Sequence, residues 1–408
     1  MREISCFLVS ADMASTTDIK RIIKRMVPSL VELSHDISTH AETALEEYRT
    51  QEVMCGFLKK HGFAIEKGVA GLKTSFVATF GKAAHPAIAY VAEMDALPDI
   101  GHACGHNVNG TMSIGAAVAL ARVLAPARAR IAVVGTPAEE IGYGKPVLIA
   151  HGVFSRFDVA MMSHASTKRM AFRYMLALRK IRIRFRGRAS HAASYPEEGR
   201  DALSALMLAI HNINARRSSF RPFMRANGII THGGTAPNII PDFAEAYYFI
   251  RAISLGELDE LMRWVRDAVN GAAEATGTRV KISEEGHTQY PFYVNQRLSE
   301  LYAGVLGSLR LEQSDASPYA GIGSSDIGQL SYVLPTLHAY TPIGGSHAGR
   351  GAAVHVHTSG FRRLAVSGTA DKAIAEGAAT LAITGYRLID SPVLLRQIRH
   401  THNPPTLR

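Results

Sequence analysis

The chain has 408 residues, 47% of them hydrophobic and 20% charged, an ordinary globular composition with length enough for two domains that each own a core. Its formal charge of +10 is spread along the sequence without an aromatic platform or a nucleic-acid motif, which sets nucleic acid aside and leaves, at most, a small anionic substrate. No apolar run nears the roughly 18 to 20 residues a membrane span needs. Three scattered cysteines, Cys6, Cys55 and Cys104, frame no disulfide scaffold, so a cytoplasmic protein is expected.

The opening residues lack the basic start and long apolar stretch of a secretory signal, and Met13 is a second candidate start. Apolar residues Ile22, Ile23, Met26, Leu30 and Val31 recur at helical spacing and predict an amphipathic helix over 18–33. The loop after it carries His35, His40, Glu42, Glu46 and Glu47, acids expected to be mostly solvated. A helix at 50–62 and nearly continuous apolar strands at 75–80 and 87–91 follow, the pattern of a sheet covered on both faces. The second strand delivers Glu93 and Asp95 and then His102-Ala-Cys104-Gly-His106-Asn107, before a helix predicted to bury one face through Ile114, Val118, Ala121 and Leu124. A thiolate and a neutral imidazole two residues apart on such a loop can reach one zinc-like ion, and the helix dipole favours the thiolate.

Another buried strand, 129–134, ends in Pro137-Ala-Glu139-Glu140, and carboxylates at the C-terminal end of a strand stand where α/β sheets carry their ligands. The strand at 157–162 closes on His164. The pattern then changes. Residues 176–186 alternate, Ile181, Ile183 and Phe185 on one face and Arg182, Arg184 and Arg186 on the other, as in a half-exposed strand. A helix (199–216), two strands (224–232 and 244–252), a helix (255–275) and a strand (279–285) complete a βαββαβ order, the ferredoxin-like arrangement. It predicts an insert at 176–287 within a catalytic domain made of 1–175 and 288–408. Helices at 298–309 and 370–385 follow, with a frayed tail expected from Arg396.

The run Met94-Asp-Ala-Leu-Pro with Gly101-His-Ala-Cys-Gly-His-Asn resembles the second metal-binding motif of the co-catalytic metallopeptidase family of the aminoacylases, carboxypeptidase G, carnosinases and auxin-conjugate amidohydrolases. The branch holding p-aminobenzoyl-glutamate hydrolase and the mammalian β-alanyl-lysine dipeptidase is the most similar. The resemblance runs from about His40 to Phe361 with the motifs in family order, although Ala41 and Ala165 stand where relatives carry proline. It implies an α/β fold: a mixed-sheet α/β/α metallopeptidase catalytic domain with an inserted ferredoxin-like dimerisation domain. By the same resemblance Cys104 bridges two divalent cations, Zn2+ or Mn2+. Glu140 and His357 complete one position, His106 and His164 the other, and Asp95 orients a ligand. The last ligand is a histidine before a helix, with His347 and His355 as alternatives to His357.

Glu139 would be the general base, and His191, Asn238 and Arg251 of the insert would reach across a homodimer, His191 and Asn238 to the oxyanion or carbonyl and Arg251 to a substrate carboxylate. The implied reaction is hydrolysis of the amide bond of a small carboxylate-bearing N-acyl amino acid, dipeptide or aryl-amide conjugate by metal-activated water. Hydrolytic deamination of an activated aromatic amine such as an amino-benzoate is the alternative within the same chemistry, and a non-catalytic binding protein on this fold is the alternative outside it.

Overall fold

A computed structural model describes residues 2–315, 317–319, 321–344 and 354–406, with side chains from residue 15 onward. His347 and most of the glycine-rich stretch from Gly344 to Ala352 lie outside the described residues. In chain order the elements are α1 (Arg2–Thr39), α2 (Tyr48–Lys60), β1 (Ala64–Lys67), β2 (Phe76–Phe80), β3 (Ala87–Glu93), α3 (His106–Val123), β4 (Arg130–Thr136), α4 (Gly144–Ala150) and β5 (Val159–Ser166). Then come β6 (Ala177–Arg186), α5 (Ala202–Ala215), β7 (Arg225–His232), β8 (Phe243–Ala252), α6 (Leu255–Thr276) and β9 (Arg279–Gln289). The chain closes with α7 (Gln296–Ser308), α8 (Ile327–Leu330), β10 (Thr336–Pro342), α9 (Ser359–Leu364), α10 (Gly368–Asp390) and α11 (Pro392–His400). No helix of the described residues is long and apolar enough to cross a membrane.

Two compact units result, one of Met1–Tyr174, Tyr293–Ile322 and Gln329–Arg408, the other of Met175–Phe292 with Gly323–Gly328. The first holds a mixed sheet in the order β1-β2-β4-β3-β5-β10, parallel from β4 to β10 and antiparallel at β1 and β2. Every residue of β3 is buried, which requires cover on both faces of the sheet. The helix α3 packs on β3 and β5 and against α1 and α10. One buried face was expected of it, yet every residue from His106 to Ala121 is buried, because α1 and α10 close over the side that faces away from the sheet.

The frayed tail expected from Arg396 is corrected by α11, capped by Ser391 Oγ on Leu394 N and anchored by buried Leu395 and Ile398. The second unit pairs its strands antiparallel in the order β7-β8-β6-β9. Along β8 burial alternates residue by residue, with α5 and α6 covering one face through Leu206, Ile213, Leu261 and Val265. The edge strand β7 leaves Ile229 and Ile230 exposed, at 65% and 47%.

Candidate metal centre

Strand ends of the first unit converge on one polar cluster. β3 runs out at Glu93, β4 at Thr136 and β5 at Ser166, and the loops that follow β3 and β4 carry most of the titratable groups. The turn before α3 needs Gly105: its φ of +86° is left-handed, and a Cβ there would stand 2.7 Å from the Ala165 Cβ. That geometry presents Cys104 and His106 to the same side. The sulfur lies 3.6 Å from His164 Nε2, and the rings of His106 and His164 stand nearly perpendicular at 5.8 Å.

Within the first unit three overlapping groups gather ligand atoms within 4.8 Å of one another: Cys104, His106 and His164; Cys104, Glu140 and His357; and His106, Glu139 and Glu140. His357 is half exposed, with Nε2 3.5 Å from Glu140 Oε2 and its backbone N–H donated to the Ala103 carbonyl. His355 is in none of these groups among the described residues.

The imidazoles are oriented for ligation. His106 Nδ1 bonds the Asp95 carbonyl at 2.8 Å and His164 Nδ1 the Ala165 carbonyl at 2.7 Å, so each Nδ1 carries a proton and each Nε2 is turned to the cluster. Buried His106 Nε2 and Glu140 Oε1 have no hydrogen-bond partner, which suits atoms meant for a cation. Burial drives the Cys104 thiol well above its ordinary range despite the adjacent helix N-terminus, so a cation would be what makes it a thiolate. Burial also lowers His164 to about 4, which keeps the ring neutral. Soft sulfur, imidazole and carboxylate together fit a divalent metal ion.

Asp95 is fully buried and holds the acid pair from below. Its Oδ1 accepts Glu139 N at 3.1 Å and its Oδ2 accepts Glu140 N at 2.9 Å, while the Glu139 carboxylate comes within 3.7 Å of His106 Nε2. The residue before the pair, Ala138, sits at φ +59°, a left-handed conformation that costs a non-glycine residue roughly 1–2 kcal/mol. Its N–H is tied to Glu47 Oε1 at 2.8 Å, and Glu47 Oε2 takes the Thr74 hydroxyl at 2.6 Å. Expected in solvent, Glu47 is wholly buried, and burial raises its pKa. Glu42 is not free either: it accepts from Arg49 N, Thr50 N and the Thr50 hydroxyl at the start of α2.

In the second unit His191 and Asn238 come together on neighbouring loops, where Ala192 N donates to the Asn238 carbonyl at 3.0 Å and His191 bridges Ile239. Both side chains are exposed. Arg251 lies on β8 opposite Leu178 and Arg225, its guanidinium over the Phe249 ring.

Comparison with known proteins fits this geometry. Residues 177–277 match a peptidase dimerisation domain. A Bacillus subtilis structure described as a dinuclear metal-binding peptidase of the M20 family shares the fold, with a TM-score of 0.67 at 19% identity over 88% of this chain and 98% of that one. The Xaa-Arg dipeptidase of Mus musculus is 36% identical over 382 residues, 90% of this chain and 87% of the relative. This chain belongs to the M20 peptidase family. A p-aminobenzoyl-glutamate hydrolase component from Escherichia coli is a further M20-like relative, 31% identical over 271 residues, 61% of this chain and 56% of that protein. As an M20 protein the chain is a metal-dependent hydrolase.

Several residues of this M20 centre carry no sequence signal. Lys145 on α4, fully buried, places Nζ 2.8 Å from Glu93 Oε1. Burial alone would raise the pKa of Glu93, but Lys145 and then His106 outweigh it and hold the carboxyl below the usual range. Asn109 joins the two sides of the cluster, donating to Glu93 Oε2 at 3.2 Å and accepting Ala165 N at 2.7 Å. A lysine after glycines, an asparagine in a helix and a glutamate in an acidic loop all read as solvated until the fold brings their partners in.

Proposed function

We propose that this M20 hydrolase cleaves the amide bond of a small, carboxylate-bearing N-acyl amino acid, dipeptide or aryl-amide conjugate. Donor atoms of Cys104, His106, Glu140, His164 and His357 in overlapping groups within 4.8 Å, with Glu139 in the same cluster, carry the reading. The names of the relatives, a dipeptidase and a p-aminobenzoyl-glutamate hydrolase, support the substrate class.

In this reading Cys104 is shared, Glu140 and His357 hold one cation, and His106 and His164 hold a second, with Zn2+ or Mn2+ the ions this donor set favours. Divalent ions bound there supply Lewis acidity toward the scissile carbonyl and toward water. Glu139 accepts the proton of the attacking water and returns it to the leaving nitrogen, so that an amine is released and no proton accumulates. Asp95 keeps the Glu139 and Glu140 backbone in place through that exchange. The dimerisation-domain match and the exposed β7 edge support a homodimer built through the insert, across which His191 and Asn238 serve the developing oxyanion and Arg251 the substrate carboxylate. Cysteine usage supports the cytoplasm.

The test is Glu139→Ala with its metal content measured, assayed on N-acyl amino acids, dipeptides and amino-benzoates for released amine and ammonia. Loss of at least about a hundredfold in kcat with metal retained is expected. Full turnover in that variant refutes the role of Glu139, and ammonia released from the amino-benzoates alone refutes amide cleavage. Mixing inactive Glu139→Ala and His191→Ala proteins recovers part of the activity if the site is completed across the dimer.

A further inference from the structure

Among the described residues, Arg173 is a guanidinium of the first unit that no carboxylate answers. Other arginines are paired: Arg169 with Glu376 at 2.6 Å, Arg184 with Glu245 at 2.6 Å and Arg399 with Asp158 at 2.7 Å are examples. The polar contacts of Arg173 are long, Nη2 to Ser166 Oγ at 3.4 Å and to Met170 Sδ at 3.9 Å, Nη1 to the Gly321 carbonyl at 3.5 Å, and its buried Nε has no hydrogen-bond partner.

Its position is fixed by the backbone. Met170 and Tyr340 exchange both N–H···O=C bonds, at 3.1 and 2.8 Å, so the segment leading to Arg173 is stitched to β10. Tyr340 pairs in register with His164 on β5, and the guanidinium carbon lies 4.3 Å from the centre of the Tyr340 ring. That ring is 6.1 Å from the His164 ring, and its hydroxyl is engaged by His338 Nδ1 at 3.1 Å. Ser166, which Arg173 reaches, is two residues beyond His164 and on the same side of the strand. A half-buried cation with open donors therefore stands one aromatic ring from a candidate metal ligand.

We infer that Arg173 forms a carboxylate subsite of the catalytic unit itself, docking the free carboxylate of a substrate whose amide lies at the metal cluster. This rests on the reading of function given above and adds, beside Arg251 of the insert, a second guanidinium for the acidic end of the substrate. The chemistry is selective: a planar guanidinium takes a carboxylate through two parallel hydrogen bonds, whereas a neutral carboxamide offers one acceptor and no charge. A group that served the oxyanion would act on acid and carboxamide substrates alike, so the two roles separate by substrate.

The experiment uses the metal-loaded full chain with N-benzoylglycine, N-benzoylglutamate and alanyl-arginine, each beside its C-terminal carboxamide. Wild type is expected to prefer the acids. Arg173→Met raises KM for the best-cleaved acid by at least about tenfold, while kcat/KM for its carboxamide and the metal content stay within about twofold. Arg173→Lys, which keeps charge and stem without the fork, recovers part of the loss and guards against a folding artefact. Equal losses on acid and carboxamide, or an acid preference unchanged in Arg173→Met, overturn the subsite while leaving amide hydrolysis standing. A metal-loaded wild type that cleaves none of the six overturns the reading of function, and the subsite with it.

Discussion

Replacing Lys145 by methionine probes the charge balance beneath the metal cluster. The ammonium and the Glu93 carboxylate are both shut off from water, at 0% and 1% side-chain exposure, and stand 2.8 Å apart. Methionine keeps most of the stem and removes only the charged head, so the loss is electrostatic rather than a cavity. Breaking a buried pair from one side costs about 3–5 kcal/mol, because the charge left behind is uncompensated. Here the Asn109 amide still donates to Glu93 Oε2, and the carboxyl can take up a proton, so the lower end, about 3 kcal/mol, is expected. Urea unfolding of chelator-treated protein reads this without contribution from metal binding to the native state. The deficit should shrink as pH falls, since a protonated Glu93 is no longer a stranded charge. Removing the other charge as well, in Lys145→Met with Glu93→Gln, should recover most of the loss. A single variant that costs less than about 1 kcal/mol at neutral pH, or a double variant less stable than the single, would refute this account.

Asp95→Asn turns one acceptor of the backbone N–H groups of Glu139 and Glu140 into a donor that meets a donor, and should weaken metal affinity by about ten- to a hundredfold, read by competition with a calibrated chelator. In the insert, Glu245 accepts the Thr231 hydroxyl and the guanidiniums of Arg184 and Arg182, which together hold its pKa down at about 2 against its partial desolvation. A depressed carboxylate stabilises the fold above its unfolded pKa of about 4.3 and loses that contribution as pH falls toward 2. Glu245→Gln should therefore be less stable than wild type at pH 7 by thermal unfolding, with the gap narrowing steadily below about pH 4.

Much of the architecture was legible because burial leaves a periodic trace. The all-buried strand at β3 and the alternating strand at β6 are opposite patterns, and their difference shows in the residue order alone. The residues of the candidate cluster stood out because each lies at a strand end or in the loop before a helix, in motif order. What could not be read is contact across sequence distance. Glu47 reaches Ala138 over 91 residues and Lys145 reaches Glu93 over 52, and nothing local marks either as buried. The all-round burial of α3 was hidden for a different reason: alanines and glycines at Gly110, Gly115, Ala116, Ala117 and Ala119 look neutral, yet small side chains are what allow neighbours to approach on every side. A Cβ at Gly115 would meet Leu30 at 2.9 Å and Ala378 at 3.0 Å.

That enclosed helix governs how the candidate cluster behaves over time. A helix with one wet face can fray and reform a turn without disturbing the rest, but α3 has no such face, and its first residue is His106. Loosening His106 means parting α1 and α10 from α3, an event on the scale of opening the whole unit. The imidazole is thus held in readiness whether or not a cation is present, and its geometry persists for as long as the surrounding core does.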